Sequence, residues 1–275
     1  MPRDLEDVID YFLPDAGVAK SASAAHAPPS DTPQSVPAPR PRVRRPAALP
    51  IIALPIADRD VVRAAFAWNL AVEIARLGAN ATLLAPADPE GESLWPSSGR
   101  GPIGAELNLV RVANLRELNH DALDVAVSKA ADSTEGGVVL TRVPPSWMGH
   151  PTDSRALLRW VLLFASPESH DLQQAYGLAK RLLGSAPTTR IGLTIHGARR
   201  IDEAEHAFTR LAGTALRHLR HSVVSYGFLV DDLHVYRAIV ARRPIGLEHP
   251  QSRAARALRD VARLLLDDAR KQSVG

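Results

Sequence analysis

The sequence predicts an α/β domain built on a mainly parallel, doubly wound sheet with helices on both faces, preceded by a short helix and a disordered linker. Two observations carry this. From residue 51 to 268, short apolar runs alternate with stretches of helical period, the pattern of successive βαβ units. Strands that alternate with helices in this way imply a mainly parallel sheet covered on both faces. Before residue 51 the alternation stops: residues 14–50 hold nine of the 22 prolines, many Ala and Ser, and no apolar period.

The elements follow in order. Residues 1–13 read as a short amphipathic docking helix, because Leu5, Val8, Ile9 and Phe12 fall at i, i+3, i+4 and i+7. Asp4, Glu6, Asp7 and Asp10 take the other face and first turn, where acids suit the positive helix end, and Pro14 stops it. The linker ends in a basic cluster, Arg40 to Arg45. Then come a strand at 51–55, a helix at 59–77 closed by Gly78, strands at 81–85 and 107–113, a helix at 114–131 and a strand at 137–141. Strand–helix pairs are expected at 158–165 with 169–183 and at 189–196 with 201–219. A strand at 223–228 leads into the closing helices, the last at 254–268, and residues 269–275 read as a polar tail.

Composition narrows the function. Apolar residues make up 45 %, enough for a core. Cysteine is absent, which removes disulfides, thiolate catalysis and cysteine-bound metals. No apolar run approaches the roughly 18–20 residues that span a bilayer. The amino terminus carries acids where a secretory signal carries Lys or Arg, so a cytoplasmic chain without stable membrane insertion is expected. A net charge of +3 is too small and dispersed to predict a nucleic-acid partner. There is no Gly-x-Ser-x-Gly elbow and no His-Glu-x-x-His. His218 and His221 lack an acid at neighbouring helical positions, so no metal is expected.

Several segments point to a family. Ile51–Leu54 is followed by Asn69-Leu70-Ala71 and Leu77-Gly78; Val138-Val139-Leu140-Thr141-Arg142 runs into Val143-Pro144-Pro145. Ser166-Pro167-Glu168 precedes Asp171, Ala175-Tyr176 and Lys180; Ile191–His196 and Tyr226–Asp232 follow, then Arg243-Pro244 and His249-Pro250-Gln251-Ser252. In order and spacing these resemble the MinD/ParA family of P-loop ATPases, and within it the flagellar-number regulator branch, FlhG. The resemblance covers nearly all of 51–268 and implies a P-loop NTPase-like fold.

It also fixes which residues stand in the phosphate loop. A phosphate cradle needs glycines so that backbone N–H groups converge on the anion, a Lys for the β- and γ-phosphates, and a hydroxyl for Mg²⁺. The stretch Ile56–Ala65 holds no glycine, lysine, serine or threonine. The resemblance places Asp58 at the family's signature lysine, Arg63 at its second lysine and Ala64 at the magnesium hydroxyl. It places Arg142 at the metal-linked acid and His196 at an adenine-side Asn. Asp58 and Asp60 would oppose a triphosphate, and Asp60 also suits a helix cap. The expectation is therefore a pseudo-ATPase: not an enzyme, with no cofactor (ATP and Mg²⁺ disfavoured), acting as a bacterial scaffold or regulator in placing or assembling a flagellar or polar complex. It would dock protein partners through Leu5, Val8, Ile9 and Phe12. The alternatives are a weak ATPase using Arg63, and a DNA- or nucleoid-associated module using pairs such as Arg199-Arg200 and Arg242-Arg243. The sequence leaves the oligomeric state open.

Overall fold

The structure, a computed structural model, describes residues 47–87, 95–133, 135–149 and 156–274. The docking residues Leu5, Val8, Ile9 and Phe12, and the linker up to residue 46, lie outside the described residues.

The strands are β1 (Ile51–Pro55), β2 (Asn80–Pro86), β3 (Gly99–Arg100), β4 (Glu106–Val110), β5 (Gly137–Val143), β6 (Trp160–Ala165), β7 (Arg190–Ala198) and β8 (Val224–Val230). They form one sheet in the order β3-β4-β2-β5-β1-β6-β7-β8, parallel except for β3 at its edge. Every residue of β1, β5 and β6 is buried, which accounts for the unbroken apolar character of β1 and β6, while β5 also buries Thr141 and Arg142. The helices are α1 (Val61–Arg76), α2 (Leu115–Asp132), α3 (Ser169–Ser185), α4 (Ile201–Leu219), α5 (Leu233–Ala241), α6 (Ile245–Glu248) and α7 (Arg253–Val274). The crossovers put α1, α5, α6 and α7 on one face and α2, α3 and α4 on the other. The doubly wound, mainly parallel architecture is the one the alternating pattern predicts.

Local chemistry explains the boundaries. Gly78, at φ +84, closes α1: Gly78 N–H donates to Ala75 O at 3.0 Å and Ala79 N–H to Ile74 O at 3.4 Å. That is a left-handed stop suited to glycine. The domain begins slightly before residue 51, since Leu49 is buried and its N–H donates to Ala126 O on α2 at 3.0 Å. At the other end the sequence reading stops too early. Helix α7 continues to Val274 because Ala269 still packs into the core and no Gly or Pro intervenes. Strand β6 begins at Trp160 rather than 158, because Leu157–Arg159 forms a 3-10 turn.

Asn69 has a structural task here. Its amide donates to Ala65 O at 2.8 Å, and its carbonyl oxygen accepts from the Ile245 N–H at 2.7 Å, tying α6 to α1. Asn69→Ala leaves a buried N–H unpaired, so unfolding in urea should show a loss of about 1–3 kcal/mol. An unchanged midpoint would contradict this role.

Candidate functional site

The chain leaves β1 toward α1 and β2 on one side of the sheet, and leaves β6 toward α3 and β7 on the other. This is where strand order reverses, and open α/β sheets bind ligands in the crevice beyond such strand ends. A cavity of about 580 Å³ lies there, lined by Pro55, Arg63, Phe164, Asp171, Gln174 and Arg181 among others.

Only Ile56–Asp60 connect β1 to α1. Ile56 is buried and its N–H still pairs with Val143 O at 3.1 Å, and Asp60 N–H donates to Ala57 O at 3.2 Å, which tightens the turn. Asp60 then caps the helix, its carboxylate accepting from Arg63 N–H at 3.0 Å. Val61 N–H donates to Arg59 O at 3.1 Å and Ala64 N–H to Asp60 O at 3.0 Å. The Val61 and Arg63 N–H groups, two donors of the first turn, are thus turned inward to the loop itself, where a phosphate cradle aims such donors at the ligand. Ala64 is buried under the turn.

Arg63 is the centre of the cluster. One guanidinium nitrogen donates to both carboxylate oxygens of Asp171, at 2.5 and 2.7 Å. A second stands 3.2 Å from Asp60, and Nε lies 3.4 Å from His196 Nε2. Asp171 also accepts the Ser166 N–H at 2.6 Å. Burial pushes the Asp171 carboxyl up, but the Arg63 and Ser166 hydrogen bonds and the Arg63 charge prevail and hold it below its usual value. His196, at the end of β7 with its ring 5.5 Å from that of Phe66, goes the other way. Burial and the neighbouring Arg63 charge depress it to about 4, so it is neutral near pH 7. Arg142, buried at the end of β5, donates to Ile56 O at 3.2 Å and pairs with the exposed Asp58.

The structure therefore brings Asp60, Arg63 and His196 into one cluster, sets Asp58 and Arg142 beside it as a second pair, and leaves Ala64 as packing. Arg63 is neither a free anion-binding cation nor an ordinary surface arginine. Sequence reasoning did not identify Asp171 and Ser166 as site residues. They lie 108 and 103 positions from Arg63, and although both fall in a segment that carries the family resemblance, nothing local to them points to Arg63. Chemically, the two cations of the cluster, Arg63 and Arg142, already have carboxylate partners in Asp171 and Asp58. An incoming phosphate would meet three carboxylates nearby, where one like-charge pair at about 4 Å costs roughly 4 kcal/mol near a protein surface.

No family model matches the chain, and no curated protein matches it by sequence. Solved structures do resemble it. A MinD cell division protein of Aquifex aeolicus aligns with a TM-score of 0.58 at 17 % identity, covering 79 % of this chain and 97 % of that one. The MinC:MinD cell division protein complex of the same organism aligns at 0.57 and 14 %, covering 79 % and 96 %. A ParA family ATPase of Chlorobium tepidum aligns at 0.56 and 12 %, covering 80 % and 99 %. At such identities the likeness is one of fold: the chain has the fold of the MinD/ParA P-loop ATPases. Among the described residues, no helix is long and apolar enough to cross a membrane.

Proposed function

We propose that this chain is a MinD/ParA-type domain, of the FlhG-like branch, that has given up nucleotide turnover and serves as a scaffold or regulator docking protein partners. The motifs of the carboxy-terminal half support the branch, and with it a role in placing or assembling a bacterial flagellar or polar complex. The observation that carries the loss of catalysis is the bidentate Arg63–Asp171 pair. The cation that resemblance assigns to the triphosphate is held by an internal carboxylate, with Asp60 on its other side. An internal anion on a rigid helix loses little entropy on pairing, whereas a free nucleotide loses its translational freedom. Asp58 and Ala64 remove the other two contacts, so no magnesium or phosphate partner remains from the loop itself. Docking of a protein partner is in keeping with the fold, since a MinD of this fold is found in a complex with MinC.

Calorimetry with ATP–Mg²⁺ tests the reading. No heat of binding is expected up to millimolar nucleotide, and phosphate release should stay at the level of a protein-free control. Micromolar binding that disappears in Arg63→Ala would instead establish the atypical ATPase.

A further inference from the structure

On the α1 and α5 side of the sheet, next to the start of α1, a groove is lined by Ala64, Trp68, Trp95, Ile239, Arg242 and Arg243. Its rim continues over α5 as an apolar stripe. Tyr236, Ile239 and Val240 fall at i, i+3 and i+4, with Leu233 one turn earlier; Val240 is 86 % and Tyr236 49 % exposed. A valine that exposed, beside an exposed leucine and tyrosine, is a surface that sheds water when covered. At the carboxy-terminal end of the stripe, Arg242 and Arg243 are both exposed, and Arg237 is exposed on α5; Arg243 also pairs with Glu248 at 3.2 Å.

We infer that this groove and stripe receive residues 4–13 of the same chain when no partner holds them. The inference rests on the reading of residues 4–13 as a docking element and names its resting place. Three features favour this occupant. The stripe Leu5, Val8, Ile9 and Phe12 matches that of α5 in length, since each runs from i to i+7, about 10 Å of helix. The segment carries Asp4, Glu6, Asp7 and Asp10 against a single Arg3, complementary to the three arginines around the groove. The 33 residues from 14 to 46 are also long enough. Their contour is about 110 Å at about 3.3 Å per residue, against a domain diameter of roughly 45 Å for this size. Partner binding would then have to displace an internal competitor, which makes docking responsive to partner concentration.

The absence of cysteine makes the test clean. Full-length protein carrying Tyr11→Cys and Val240→Cys is treated with a short bismaleimide, and intramolecular cross-links are counted by mass spectrometry. The comparison pair is Tyr11→Cys with Leu216→Cys, an exposed position near the end of α4. That position lies on the other face, toward the same sheet edge as the start of β1, so an undirected tether reaches it at least as readily. The Val240 pair should cross-link within the monomer at least ten-fold faster. Adding Leu5→Asp and Phe12→Asp, or Arg242→Glu and Arg243→Glu, should erase the advantage. Equal rates for the two pairs, or cross-links found only between two chains, would overturn the inference. Neither outcome bears on nucleotide binding, and capture of a partner through residues 4–13 can persist without the resting contact, so the two readings fail separately.

Discussion

Arg76→Met should lower the unfolding free energy by about 3 kcal/mol, with urea denaturation as the measurement. The reason lies in Glu73, a carboxylate at 1 % exposure in the middle of α1. It is held by Arg76 at 2.7 Å and by Arg259 of α7 at 3.3 Å, and Arg76 also donates to Gly246 O at 3.0 Å. The network joins α1, α6 and α7. A Cβ on Gly246 would stand 1.8 Å from the Glu73 carboxylate, which shows how closely α6 is drawn onto it. Taking away one cation leaves a buried carboxylate short of its nearest partner, and breaking a buried pair in this way costs about 3–5 kcal/mol. The low end applies because Arg259 remains. Combining Arg76→Met with Glu73→Met should recover part of the loss, because the costly element is the orphaned charge and Arg259 can turn toward solvent. A double variant no more stable than Arg76→Met would show that the arginine matters through its packing instead.

The contrast between this network and the strands shows what the sequence reveals and what it hides. Strands β1 and β6 are legible because burial on both faces forces every residue to be apolar, and the α4 boundaries 201–219 coincide with the helical period. The pair Gly99–Arg100 is not legible, because two exposed residues at a sheet edge carry no pattern. Within the site, Asp58, Asp60, Arg63 and Ala64 can be placed because the β1–α1 connection is local and the resemblance fixes its register. The Arg63–Asp171 pair cannot, since ion pairing across 108 residues depends on which strand ends the topology sets side by side. Glu73 is hidden for the same reason: a glutamate reads as a solvent-facing residue until the partner helix is known.

Relative to wild type, His196→Asn should gain about 3 kcal/mol of stability between pH 7 and pH 4. The sign follows from the proton count. In the unfolded chain a histidine titrates near its ordinary 6.5, whereas in the fold burial first, and then the Arg63 charge, depress His196 to about 4. Between those values the unfolded state binds a proton that the folded state refuses, so falling pH favours unfolding. Each tenfold difference in proton affinity between the two states is worth about 1.4 kcal/mol, which sets the size of the loss. An asparagine at this position would bind no proton in either state and would escape it. Comparing the two proteins matters because Asp260 works in the opposite direction. Burial raises its carboxyl to about 6 despite Arg263, Arg259 and Arg256, so it favours the fold as pH falls. That contribution is common to both proteins and cancels in the difference. Asp171, with its carboxyl below the usual value, loses its contribution only beneath this window. Denaturation curves at pH 7, 5.5 and 4 would decide it. Parallel stabilities for the two proteins would mean that His196 is not held neutral between Phe66 and Arg63, and that the cluster at the β1–β6 switch is open to water and to ligand.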